Sequence, residues 1–188
     1  VVDLDEFMYA RNGFNTISEY LDTLNSDIGQ IKVRMKNFGS NGYIKQPKSV
    51  IKSFTKRQLG ANESDMGPKS IVRTKCLKKI EIHIHKILPS YKEIFIPEFI
   101  DENHLQESFL HLNHYRIQSW DWCSKVKMTR GDATHSSLDT KYTHDYFKSM
   151  DFNDVDDIDL YNITPKYISN HINIPKNIQH IYKHFKHI

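Results

Sequence analysis

Two aspartates one residue apart, Asp3 and Asp5, open the chain in the run Asp3-Leu4-Asp5-Glu6-Phe7, behind Val1-Val2. Read as the end of a short apolar strand, the pair leaves the strand on one side, because side chains at i and i+2 share a face. Two carboxylates so placed reach a single divalent cation. Hard oxygen donors suit Mn²⁺ or Mg²⁺, ions that keep coordination positions open for substrate phosphates. A solvated acidic turn is the plainer reading of the same residues.

Other groups along the chain offer related chemistry. His83 and His85 share a face of the alternating run Ile80 to His85, and imidazole would complete a carboxylate site. The plain alternative turns Ile80, Ile82 and Ile84 to the core and the histidines to water. Asn113-His114-Tyr115 ends an apolar run, and Lys127, Arg130 and Gly131 end a helical one. A cation there meets phosphate oxygens, Arg in bidentate fashion, or simply neutralises the helix C-terminus with Gly131 as its cap. The acidic run 151–159 lacks the glycine and glutamate of an EF-hand and reads as a solvated loop. His180, His184 and His187 share a helix face, opposite an Ile and Phe stripe.

The elements that must position these groups read as mixed α/β. A helix over Ile17 to Leu24, capped by Thr16 or Ser18, breaks at Gly29. Ile31 to Met35 alternates apolar and basic residues, as a strand with one wet face does. A glycine-bearing loop follows at Phe38 to Tyr43, then a mixed segment at Ser49 to Phe54 and a polar loop from Gln58 to Lys69. Strands are expected at Ser70 to Arg73, Ile80 to His85 and Phe109 to Tyr115, and helices at Ser119 to Met128 and from Pro175 onward.

The chain has 188 residues, 38% hydrophobic, with 10 Phe, 10 Tyr and 2 Trp, which is enough for one folded domain with a real core. A formal charge of +3 is too small to argue for a nucleic-acid partner. No apolar run approaches a membrane span. Cys76 and Cys123 fit no zinc or redox spacing and read as buried or free thiols.

In order, Asp3-x-Asp5-Glu6-Phe7, the loop Asn37 to Gly42, Phe54 to Arg57, Lys69 to Val72, His83, Asn113-His114-Tyr115 with Ser119, Lys127 to Asp132 and Asp151 to Asp154 resemble a GT-A-type glycosyltransferase. The similarity is to family 92-like and family 2-like enzymes and covers residues 1–160, with a helical extension over 161–188. It implies a Rossmann-like α/β fold and metal-dependent, inverting transfer of a sugar from a nucleotide-diphosphate donor to a hydroxyl acceptor. By that resemblance the DxD motif, with Asp3 and Asp5, holds Mn²⁺ or Mg²⁺, and His83 or His114 adds a ligand. Asp3, Lys127 and Arg130 meet the donor, and Phe38, Gly39 and Ser40 border the acceptor. Glu63 and Asp65, with Asp101 beside them, are candidate general bases. In such folds the nucleotide-binding strands precede the DxD motif, so the resemblance implies a catalytic half whose N-terminal part lies elsewhere. Localisation is left open by the residues, with the cytoplasm or the cytoplasmic face of a membrane as the expectation. The alternative is a non-catalytic carbohydrate-binding module that keeps the fold, with Trp120 and Trp122 stacking on sugars.

Overall fold

The structure is a computed structural model and describes residues 2–63, 67–81, 85–129 and 142–164. Its strands are β1 (Glu6–Ala10), β2 (Ile28–Val33), β3 (Met35–Asn37), β4 (Lys56–Arg57), β5 (Lys69–Val72), β6 (Leu77–Lys79), β7 (Lys86–Ile87), β8 (Lys92–Ile96), β9 (Leu110–His114) and β10 (Val155–Asp156). Its helices are α1 (Ile17–Asp22), α2 (Val50–Ser53), α3 (Glu102–Glu107), α4 (Trp120–Trp122) and α5 (His144–Met150). The class is mixed α/β, built on small sheets. Two compact units divide it: residues 1–38 with 57–116, and residues 39–56 with 117–188.

The first unit holds two three-stranded sheets. In one, β9 lies between β1, antiparallel, and β3, parallel. In the other, β2 lies between β5, antiparallel, and β8, parallel. The main core draws on both sheets and on α1: Ala10, Ile31, Val33, Met35, Ile96, Leu110 and Leu112 pack with Tyr20. Helix α1 forms where its cap is strongest. Thr16 accepts from the Glu19 N–H at 3.1 Å while Glu19 Oε2 takes the Thr16 N–H, a complete capping box. The helix ends at Asp22, well before Gly29, which is instead a β2 residue: a Cβ there would lie 2.7 Å from the Tyr91 Cβ.

Several expected elements shift. Val2 lies outside any strand, and the strand begins at Glu6, after the aspartates; Val1 lies outside the described residues. The reason is pairing: Glu6 to Ala10 find β9 as a partner, register Glu6 with His114 through Ala10 with Leu110. Val2 is half exposed. The basic residues of the 31–35 run do not simply face water, because Lys32 and Arg34 lie over the Phe95 ring at 5.1 and 4.4 Å. Ile80 and Glu81 lie outside any strand and Ile80 is 71% exposed, so the expected strand does not begin there; residues 82–84 lie outside the described set. Ser49 to Phe54 contains a short helix, α2, capped by Ser49.

In the second unit Ser119 caps α4, which passes directly into a π-helical turn, Cys123–Lys127. Ile117, Cys123 and Phe147 form its core, with Trp120 edge-on to Phe147 at 5.2 Å. Cys76 and Cys123 are both free and buried. No helix among the described residues is long and apolar enough to cross a membrane. The helix expected from Pro175, with its three histidines, lies outside the described residues.

Candidate functional site

Strand alternation places the site. Across the β1–β9–β3 sheet, Glu6 is in register with His114, and His114 with Asn37. The next row but one on the same face is Met8, Leu112 and Met35, part of the main core. One sheet face therefore runs from apolar core to a polar row of three buried residues at its edge.

The acidic motif is a tight turn attached to that row. The Glu6 N–H donates to Asp3 O at 3.1 Å, and the Asp3 N–H donates to Glu6 Oε2 at 2.9 Å. The Tyr115 N–H holds Asp5 O at 2.9 Å, tying the turn to the end of β9. Leu4, between the two aspartates, is fully exposed. Lys69, from β5, reaches in with its Nζ 3.1 Å from Asp3 Oδ2 and 3.2 Å from Glu6 Oε2. Burial pushes the Glu6 carboxyl above its ordinary range, against the opposing pull of the Asp3 N–H and the Lys69 charge.

His114 faces the same carboxylates. Its Nδ1 lies 3.1 Å from Met35 Sδ. Thioether sulfur only accepts, so this contact places the proton on Nδ1. Nε2 lies 3.9 Å from Asp5 Oδ2 and 3.9 Å from Glu6 Oε1. Carboxylate oxygen and imidazole nitrogen together are a donor set that Mn²⁺ accepts. Among the described residues no three His, Cys, Asp or Glu side chains are arranged to hold a metal. Mg²⁺ is commonly held by one or two carboxylates, with waters and substrate phosphates in the remaining positions.

The other expected site residues are placed as follows. His83, Asp65 and Arg130 lie outside the described residues. Glu63 is exposed. Asp101 is occupied as the N-cap of α3, accepting from the His104 N–H at 3.1 Å, and that bond first of all holds its carboxyl below the usual range. Phe38 is buried with its ring 4.6 Å from that of Tyr115, a packing position. In the second unit, Gly39 and Ser40 are pinned rather than open. Ser40 donates its N–H and hydroxyl to the two oxygens of Asp151 at 2.6 and 3.1 Å, and the Asn41 N–H donates to Asn153 Oδ1 at 3.0 Å. A Cβ on Gly39 would sit 2.0 Å from Phe152 O, so only glycine fits. The loop exposes Gly42 and Tyr43 instead. Thus Asp151, expected in a solvated acidic run, is a structural acceptor. Lys127 is buried with its Nζ 5.5 Å from the Trp122 ring and 5.6 Å from the Tyr142 ring, a cation–π cage.

Sequence reasoning carries Glu6 as part of the charged cluster and Lys69 and Asn37 only inside motifs, and assigns none of the three a contact in the site. The alternation of Glu6-Phe7-Met8-Tyr9-Ala10 carries the signal for Glu6: the acid continues the Met8 and Ala10 face.

A family model for glycosyltransferase family 92 matches residues 1–150. The chain belongs to that family and is a glycosyltransferase, with a sugar donor and an acceptor as its substrates. No curated protein and no solved structure matches it.

Proposed function

We propose that the chain takes part in metal-dependent, inverting transfer of a sugar from a nucleotide-diphosphate donor to a hydroxyl acceptor, on a GT-A-like fold. The observation that supports this reading is the convergence of His114 Nε2 and Asp5 Oδ2 at 3.9 Å beside the Asp3–Glu6 turn, inside the family-matched segment. Asp5 and His114 are the residues that would hold Mn²⁺ or Mg²⁺. A cation held there would supply positive charge against the negative charge that grows on the departing diphosphate. Asp3 lies next to them on the turn and would meet the donor. In the transfer itself, the acceptor oxygen bonds to the anomeric carbon as the bond to the phosphate oxygen breaks. The acceptor proton passes to a carboxylate, for which Glu63 and Asp65 are the candidates.

The test is transfer from a panel of nucleotide sugars, in Mn²⁺ and after chelation. Asp5→Asn is expected to lose at least about a hundredfold in kcat/KM, in line with loss of one electrostatic contact to the transition state. Full turnover by that variant with the metal chelated would remove the metal from the mechanism.

A further inference from the structure

The chain's excess of positive charge sits in one short stretch. Residues 73–92 hold six of the 26 Lys and Arg residues and one of the 23 Asp and Glu. With His neutral, the stretch carries +5 and the rest of the chain −2. It folds as the β6–β7 ribbon, where Leu77 pairs with Ile87 and Lys79 with Lys86. The base of the ribbon is held against the β5–β2–β8 sheet. Cys76, fully buried, accepts the Leu88 N–H at 2.8 Å, and the Arg73 N–H donates to Gly29 O at 2.9 Å. The Arg73 guanidinium is spent on Ile28 O at 2.9 Å and Leu24 O at 3.3 Å. Beyond that base the side chains turn to solvent: Lys75, Lys78, Lys79 and Lys86 are exposed, and with them Ile80 and Leu88.

Two features of the ribbon work against its own stability. Lys79 faces Lys86 across the pair, and like charges directly opposite are destabilising. One carboxylate, Glu81, serves both, 2.9 Å from Lys79 Nζ and 3.7 Å from Lys86 Nζ. Ile80, between Lys79 and that acid, is 71% exposed, where burial would stabilise it. Local choices that cost stability without a gain inside the fold mark a surface shaped for a partner. We infer that this ribbon is a docking surface for a bilayer rich in anionic lipid, with the four lysines among the headgroups and Ile80 reaching below them. The chemistry favours a bilayer over a nucleic acid. Lysine ammonium is a point charge without the fork that grips a single phosphate, which suits a mobile field of headgroups. Ile80 and Leu88, exposed beside the lysines, are aliphatic; hydrocarbon takes them up, whereas base stacking calls for aromatic rings. No residue of the ribbon belongs to the acidic turn, so the inference stands apart from the proposed metal chemistry.

The experiment is co-sedimentation of the full chain with sucrose-loaded vesicles of phosphatidylcholine, alone or with about 30% phosphatidylserine. Wild type is expected to partition at least about tenfold more strongly onto the anionic vesicles, and to lose most of that preference in about 0.5 M salt. Lys78→Gln combined with Lys79→Gln should cut anionic binding about tenfold or more, at roughly fivefold per lysine. Ile80→Ser should weaken it about threefold or more, through lost apolar burial. Lys45→Gln combined with Lys48→Gln removes the same charge from exposed positions in the second unit, and should bind within about twofold of wild type. Should the Lys78 and Lys79 double variant fail to fold by circular dichroism, Lys75→Gln combined with Lys86→Gln takes its place with the same expectation. Wild type that does not prefer the anionic vesicles overturns the inference. An equal loss in the Lys45 and Lys48 double variant overturns it too, because diffuse net charge would give that result. Ribbon-dependent binding of single-stranded RNA tighter than binding of the vesicles would assign the surface to nucleic acid and overturn the bilayer.

Discussion

The two faces of the β1–β9–β3 sheet bury polar groups to different ends. On one face, Tyr9, His111 and Lys36 close on each other: Lys36 Nζ donates to the Tyr9 hydroxyl at 2.8 Å, Tyr9 meets His111 Nδ1 at 3.3 Å, and His111 Nε2 reaches Leu105 O at 2.8 Å. On the other face the polar row Glu6, His114 and Asn37 ends an apolar column and adjoins an exposed acidic turn. Each face also keeps one buried amide oxygen without a hydrogen-bond partner, Asn37 Oδ1 in that row and Asn113 Oδ1 beside Lys36 on the other face. The closed set is what a core needs when it contains polar side chains. The other set brings His114 Nε2 within 3.9 Å of Asp5 Oδ2, the pair proposed above to hold a cation. Burial alone does not separate the two; the direction in which the polar atoms are spent does.

This contrast can be broken by substitution. The largest stability loss is expected outside both faces but in the same unit, at Arg57, whose side chain is fully buried and forks onto Glu102 at 2.6 and 2.9 Å. Arg57→Met should cost about 3–5 kcal/mol in urea unfolding, since it strands a charged partner. On the closed face, Lys36→Met should cost about 1–3 kcal/mol, the penalty for leaving the Tyr9 hydroxyl short of its donor. Transfer per folded molecule should stay near wild type. On the ligand face the pattern inverts: His114→Ala should lower kcat/KM about a hundredfold or more while the unfolding midpoint moves less than for Lys36→Met. Equal stability losses at Lys36 and His114 would erase the distinction.

A pH effect sharpens the structural side. Burial alone would raise the Glu102 carboxyl, but hydrogen bonds from Arg57, Gln106 and the Gly60 N–H, with the charge of Arg57, bring it from 4.5 down to about 2. A carboxylate depressed by folding contributes stability above its unfolded value, and that stability is lost as pH falls through the folded one. Stability should therefore decline between about pH 4.5 and pH 2 by about 2 kcal/mol from this group, discounted for its partial exposure. In Glu102→Gln that component of the acid limb should be missing. The smallest expected effect is Ser40→Ala, about 1 kcal/mol for the hydroxyl's bonds to Asp151 and from the Gly42 N–H, because the Ser40 N–H still holds the other Asp151 oxygen.

Much of this was legible in the residues, for reasons that differ from place to place. The helix at 17–22 announces itself by a local device, the Thr16–Glu19 box, and needs no tertiary information. The strand at 110–114 carries its own apolar run. The Asp-x-Asp motif and His114 were recognised as chemistry, and the fold does bring Asp5 and His114 together. What was not legible depends on partners far away in the chain. Whether the strand precedes or follows the aspartates is decided by β9, more than 100 residues later. Gly29 looks like a helix breaker and is a site of close approach to Tyr91. Lys69 could be seen only as part of a motif, because its partners lie 63 and 66 residues upstream. Asp151 and Ser40 are separated by 111 residues, and nothing local marks the acid as the anchor of the glycine loop.

The measurement that bears most directly on the central claim is anomalous diffraction from crystals of the protein soaked with Mn²⁺ and a nucleoside diphosphate. The account predicts a single strong manganese peak within about 2.3 Å of an Asp5 carboxylate oxygen and His114 Nε2, with phosphate oxygens completing the coordination. A peak ligated by neither residue, or none at the acidic turn with the diphosphate bound, would contradict it.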